Sequence, residues 1–180
     1  EELDRLLKRV EESLRRVERI LKELLDRVRK VNEDVKRTLD DLLRRSKESL
    51  DRVRKLREEG KDKDTVLKEH EKSLRKSTED AKKVIREVEK VHKEVLDRVR
   101  KVLREHEKTV REVLEAVRRR NGEKLEEVEE RLKRSLRELE RLVRELEEEL
   151  KKSVKSVRDL LEELKRRNED SLRRLAEEIK

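Results

Sequence analysis

The sequence predicts an all-α protein, a single chain folded as an antiparallel three-helix bundle. Charged residues make up 58% of it and hydrophobic residues 31%, and it contains no Phe, Trp, Tyr, Met, Cys or Pro. A chain rich in Glu, Lys, Arg and Leu with helical spacing is typical of long helices and bundles. Its only two glycines, Gly60 and Gly122, divide it into thirds.

The apolar residues recur with a period of 18 residues in every third. In the first third, Leu3, Leu21 and Leu39 are equivalent positions of this repeat. The last third repeats in the same way at Leu125, Val143, Leu161 and Ile179. Eighteen residues are about five turns of an α-helix, so equivalent residues lie on one face. A heptad repeat would impose a left-handed supercoil, whereas this period matches a straight helix. We therefore expect a long and nearly untwisted bundle.

The two glycines predict where the helices end. Glycine is favoured just beyond a helix C-terminus, and Asp62 and Asp64 are candidate N-caps of the second helix. Connections this short make consecutive helices antiparallel neighbours, in the order up-down-up. The predicted helices span 2–59, 64–120 and 123–179, with loops at 60–63 and 121–122, in a single elongated domain covering 1–180.

Composition excludes several classes of partner. The net charge of +8 arises from interleaved acidic and basic residues, and there are no aromatic side chains for base stacking. We therefore expect no specific nucleic-acid binding. Apolar runs never exceed two residues, so we expect neither a membrane span nor a signal peptide. We expect the protein to be soluble and suited to recombinant expression, and its localisation is unknown.

Polar side chains on the inward face gather into three predicted layers. Residues that face each other across the first turn have numbers summing to about 123, and across the second about 245, while helices 1 and 3 are offset by about 122. The predicted layers are Ser13, His106, Thr109 and Ser135; then Asn32, His92 and Ser153; then Ser46, Ser49, His70, Ser73, Ser77, Asn168 and Ser171. Thr38 and Thr78 lie at layer margins and Ser156 lies off the stripe, so these three are not assigned.

These layers have a structural interpretation. An unpaired buried polar group costs roughly 1–3 kcal/mol, so connected layers penalise a wrong helix register that an all-leucine core would tolerate. The alternative for any single Ser or Thr is a hydrogen bond back to the carbonyl one turn earlier. Because each layer contains one histidine and draws on all three helices, we favour connected networks.

The histidines do not form a recognisable metal or catalytic site. His70-Glu71 and His106-Glu107 begin like a zincin motif, but Leu74 and Val110 occupy the place of its second histidine. His70 and His92 are about 33 Å apart along a helix, and His92 and His106 about 21 Å. We predict no enzymatic activity, no metal and no cofactor. A buried neutral imidazole would resist protonation, so we expect acid to destabilise the fold.

The regular period, the Glu, Lys, Arg and Asp surface and the missing residue types resemble de novo designed, parametrically generated three-helix bundles with buried hydrogen-bond networks. Spectrin-type repeats have shorter helices and aromatic cores, and apolipoprotein-like chains have 11- or 22-residue repeats with proline. The resemblance implies a structural scaffold without natural biochemical function, monomeric and needing no partner. The alternative is an interaction module whose helices exchange into a homo- or hetero-oligomer, with possible pH sensitivity through its histidines.

Overall fold

The structure is a computed structural model that describes residues 2–120 and 125–180. Within these residues the chain forms three helices and no strand. The helices are α1 (Glu2–Glu58), α2 (Lys63–Arg118) and α3 (Leu125–Glu178). The predicted all-α three-helix fold is confirmed. The observed α1 and α2 span 2–58 and 63–118, against predicted bounds of 2–59 and 64–120, and α3 ends at 178 against a predicted 179. The predicted loop at 121–122 and the predicted start of the third helix at residue 123 lie outside the described residues.

The end of α1 follows from the glycine that terminates it. Gly60 has a φ of 95°, in the left-handed region that side chains disfavour. Its N–H donates to the carbonyl of Arg57 at 3.1 Å, and the N–H of Lys61 donates to the carbonyl of Leu56 at 3.1 Å. These two bonds form a Schellman motif, which satisfies carbonyls that the last helical turn leaves unpaired.

The start of α2 is capped by the predicted aspartate. The N–H of Thr65 donates to Oδ1 of Asp62 at 2.8 Å, and the N–H of Val66 donates to the Asp62 carbonyl at 3.1 Å. The hydrogen bonds from Thr65 hold the pKa of Asp62 below its ordinary value. Asp62 is therefore the N-cap, ionised and placed at the positive end of the helix dipole.

The chain forms two compact units, each made of segments of all three helices. The first comprises Glu1–Arg29 with Val91–Lys151, and the second Lys30–Lys90 with Lys152–Lys180. Within the first unit, Arg9 pairs with Glu112 at 2.9 Å and Arg27 pairs with Glu94 at 3.5 Å. Residue numbers thus rise on α1 as they fall on α2, so these two segments are antiparallel.

Each unit has its own aliphatic core. In the first, Leu139, Val95 and Val113 have no exposed surface. In the second, Val66 and Leu175 have none and Leu164 retains 1%. Full burial of such a side chain contributes roughly 1.5–3 kcal/mol, so these clusters supply most of the folding energy. No large hydrophobic side chain is exposed in the described ranges.

Candidate functional site

The polar group of α2 that bonds to both other helices within the second unit is His70. It is fully buried, with 0% of its surface exposed. Its Nδ1 lies 3.1 Å from Oγ of Ser49 on α1, and its Nε2 lies 3.0 Å from Oγ of Ser171 on α3. One imidazole ring therefore bonds to both neighbouring helices.

Both bonds are compatible with a neutral ring. A neutral imidazole has one N–H donor and one bare nitrogen that accepts, so one of the two serines accepts from His70 while the other donates to it. Burial, and secondarily the positive charge of Arg54, lowers the pKa of His70. The ring is therefore held in the neutral form that this pairing uses.

Other members of the third predicted layer are satisfied in different ways. Ser46 donates to the carbonyl of Leu42 at 3.1 Å, and 3.5 Å separates its Oγ from Oγ of Ser77. Nδ2 of Asn168 donates to Oγ1 of Thr78 at 3.4 Å. Ser73 is half-buried and lines a surface cleft with Ser46 and Ser77. This group thus contains one extended network around His70 and weaker contacts beside it.

The first predicted layer, in the first unit, is bonded less completely. Oγ of Ser13 lies 2.7 Å from Nδ1 of His106, whose ring is 1% exposed. Nε2 of His106 and Oγ of Ser135 are buried without a hydrogen-bond partner. Thr109 donates to the carbonyl of Glu105 at 3.1 Å, so it satisfies itself within α2 and does not link helices. Burial lowers the pKa of His106.

These two histidine sites are repeats of one arrangement. Ser49 and Ser171 are each 36 residues beyond Ser13 and Ser135, and His70 is 36 residues before His106 on the antiparallel helix. Thirty-six residues are about ten helical turns, so each pair occupies the same helix face. The two partnerless atoms, His106 Nε2 and Ser135 Oγ, are therefore the equivalents of the two atoms that bond in the His70 site.

The second predicted layer divides between the two units. Ser153 donates to Oδ1 of Asn32 at 2.5 Å, and both residues belong to the second unit. His92 belongs to the first unit and is buried, with 4% of its surface exposed. Asn32 and Ser153 thus form a direct link from α1 to α3.

Thr78 is the network residue that the sequence analysis left unassigned. It accepts the Asn168 bond and donates to the carbonyl of Leu74 at 3.0 Å. The facing-number rule already contained the signal, because 245 minus 78 gives position 167, next to Asn168. By contrast, Thr38 donates only to its own helix, at the Asp34 carbonyl.

The described residues offer little for other chemistry. Among them, no three or more His, Cys, Asp or Glu side chains are grouped so that they could hold a metal ion. None of the described helices combines the length and apolarity needed to cross a bilayer.

Comparison with known proteins gives few matches. No protein-family model matches the chain, and no curated protein does. A solved structure described as a computationally designed three helix bundle is similar to it, over 98% of this chain and 88% of that chain, with a TM-score of 0.45 and 16% identity. The three-helix fold follows from the helices and contacts of this chain itself.

Proposed function

We propose that this chain is a designed structural scaffold without natural biochemical function, in which buried polar side chains specify how three helices pack. The numerical regularity of the 18-residue repeat and the absence of aromatic, sulfur and proline side chains support a designed origin. The aliphatic clusters supply stability, and the polar sites supply the choice of one arrangement.

The observation that carries this proposal is the pair of bonds made by His70. Its two ring nitrogens reach Ser49 on one helix and Ser171 on another. Sliding either helix by one turn would remove a partner from a side chain that has no access to water. An unsatisfied buried group costs roughly 1–3 kcal/mol, which disfavours the displaced arrangement.

The contrast between two variants tests this role. The single change His70→Leu leaves two serines without their partner, whereas Ser49→Ala/His70→Leu/Ser171→Ala replaces the whole site by apolar groups. We expect the triple variant to match or exceed the parent in urea midpoint, because a fully apolar replacement is near neutral or stabilising.

The same triple variant should lose uniqueness of structure. We expect extra or broadened backbone amide signals from residues around position 70, reporting alternative packings. The parent should give one sharp set. A triple variant with a single sharp set of signals throughout would contradict the proposed specificity role.

The mass in solution separates the scaffold from an exchanging interaction module. Light scattering coupled to size-exclusion chromatography should give 22.0 kDa for the scaffold. A multiple of that mass that dissociates on dilution would favour exchange of helices between chains.

A further inference from the structure

We propose that the cleft between α1 and α3 beside the His70 site binds a small tetrahedral oxyanion such as inorganic phosphate. The cleft lies wholly within the second unit and has a volume of about 290 Å³. That is close to the lower end of small-molecule pockets. Its lining combines basic side chains with hydroxyl and amide groups of the polar core.

The charge of the lining suits an anion. Lys47, Arg54, Arg167 and Arg174 face the cleft with one acidic residue, Asp170. Arg54 is held by Glu178 at 3.1 Å, Arg167 pairs with Glu163, and Asp170 pairs with Arg173. Within the described residues, Lys47 and Arg174 make no ion pair. Lys47 on the α1 wall and Arg174 on the α3 wall are thus available for charge-assisted hydrogen bonds to an anion. Such bonds are about twice as strong as neutral ones.

The floor of the cleft provides a hydroxyl coupled to the buried histidine. Ser171 lines the cleft and lies 3.0 Å from His70 Nε2. When Nε2 carries the ring proton and donates to Ser171, the Ser171 O–H can donate into the cleft. An oxyanion bound there would select this tautomer, and Ser49 would then donate to Nδ1.

The equivalent position beside His106 has the opposite charge, which makes the basic lining a specific property of one site. Positions 36 residues before Lys47, Arg54 and Arg174 are Glu11, Glu18 and Glu138. The other two charged lining positions, Arg167 and Asp170, correspond to Arg131 and Arg134. The five positions therefore carry a net +3 beside His70 and −1 beside His106.

The distribution of charge between the two units also favours anion binding in the second unit. The second unit contains 29 basic and 23 acidic residues, and the first contains 27 and 25. The unit that contains the proposed cleft therefore carries a net charge of +6, and the other unit +2. This long-range field adds to the local attraction for an anion at low ionic strength.

Binding should change the protonation of His70. The charged groups that line the cleft beside it are Lys47 and Arg54 on α1, and Arg167, Asp170 and Arg174 on α3. Of these, Arg54 lowers the pKa of His70 by repulsion. A bound anion would offset that repulsion and favour the imidazolium form. By reciprocity, protonation of His70 would strengthen anion binding by the same factor.

The test is a pH titration of the histidine ring signals by NMR, with inorganic phosphate or sulfate against sodium chloride at matched ionic strength. We expect either oxyanion to raise the His70 midpoint by about 0.5 pH unit, which corresponds to about threefold coupling, and to leave His106 unmoved. Sulfate does not titrate in this range and so excludes an effect of probe protonation. Equal movement of both histidines, or of neither, would overturn the proposal.

Two charge-exchanged variants provide matched controls on exposed positions. Lys47→Glu/Arg54→Glu/Arg174→Glu gives the His70 cleft the glutamates found at the equivalent positions beside His106. This variant should abolish the oxyanion-dependent shift of the His70 midpoint. Glu11→Lys/Glu18→Arg/Glu138→Arg gives the His106 site basic residues at the equivalent positions. Because Ser135 makes no hydrogen bond to His106 there, the oxyanion should move the His106 midpoint less than that of His70 in the parent. A response of His70 that survives the first exchange would show that these side chains do not bind the anion.

A second arm distinguishes a free anion from a phospholipid headgroup. Vesicles of phosphatidylcholine with phosphatidic acid are sedimented with the protein at the same ionic strength. We expect no cosedimentation beyond that of the charge-exchanged variant. Lipid binding that depends on Lys47 and Arg174, without an effect of free phosphate, would overturn the assignment to a free oxyanion.

Discussion

At the scale of single residues, two chemically identical trios differ in their bonding. His70 uses both ring nitrogens, whereas His106 bonds only to Ser13 through Nδ1. The difference lies on the α3 side, where Ser171 meets its histidine and Ser135 does not. A shift of a few tenths of an ångström or another serine rotamer decides such a bond, so equal sequence spacing does not guarantee it.

Truncating the two equivalent serines should therefore have unequal effects. We expect Ser171→Ala to destabilise the fold by about 1–3 kcal/mol, because it leaves His70 Nε2 buried without a partner. Ser135→Ala should be near neutral, because its Oγ makes no hydrogen bond to lose. Urea unfolding of both variants measures the difference. Equal destabilisation would mean that Ser135 bonds to His106 in solution.

Acid should destabilise the protein through the same histidines. The folded-state pKa values of His70 and His106 are lowered, chiefly by burial, so the unfolded chain binds more protons below its ordinary histidine pKa of about 6.5. Stability is then greatest above that pH and falls as the pH drops towards the folded-state values. Urea midpoints at pH 7.5 and pH 5.0 measure this loss before most carboxylates titrate.

A double variant supplies the control for the acid effect. His70→Leu/His106→Leu removes both depressed groups, so its urea midpoint should change less between the two pH values. An identical pH response in the parent and the double variant would assign the effect to other groups.

At the scale of elements, local signals define the first turn completely. Gly60 has the left-handed φ, and nothing lies within 4 Å of the position where a Cβ would be added. Asp62 then caps the next helix. Glycine adopts the left-handed conformation without the steric cost that other residues incur, and aspartate is a preferred N-cap, so sequence alone could place these residues.

The change Gly60→Ala tests that turn. Because the site is sterically open, the cost should be that of the left-handed conformation alone, about 1–2 kcal/mol. Thermal or urea unfolding measures it. Glu59→Ala, a change just before the glycine, serves as the control and should be near neutral. A neutral Gly60→Ala would mean that the turn rearranges without penalty.

The core sites were predictable in position and less so in bonding. The facing numbers set Asn32 level with Ser153, and these two residues bond in the structure. They set Ser13 level with Thr109 and Ser49 level with Ser73, whereas both serines bond to the histidine about one turn away. Those numbers follow from helix rise alone. Thr109 was assigned to a layer, yet its hydroxyl reaches a carbonyl of its own helix. Self-satisfaction and bonding across helices differ by one side-chain rotation, which residue spacing does not encode.

At the scale of the whole molecule, surface charge has little part in stability. Apart from Arg118 and Glu129, the ion pairs of the described residues join exposed side chains. Arg75 and Glu71, for example, lie 2.7 Å apart with side chains 73% and 49% exposed. Pairs of this kind typically contribute 0.2–1 kcal/mol or nothing measurable. The folding energy therefore lies in the aliphatic clusters, which salt does not screen.

Stability should accordingly be insensitive to salt. Raising sodium chloride from 0.05 to 1 M shortens the screening length to about 3 Å and weakens attractive and repulsive pairs together. We expect the urea-derived free energy of unfolding to change by less than about 1 kcal/mol. A loss of several kcal/mol would assign a stabilising role to the surface network.

The 18-residue repeat makes the alignment of one helix along another ambiguous, because a displacement by 18 residues brings equivalent positions into register. On α3, serines recur at every period, at 135, 153 and 171, so displacing α3 by one period still presents a serine to His70. On α1 the equivalent positions alternate as Ser13, Val31 and Ser49, and the same displacement presents a valine. At the serine that meets His70, α3 therefore presents the same residue in every period and α1 does not. For the bonds to His70 alone, only the α1 position distinguishes one period from the next.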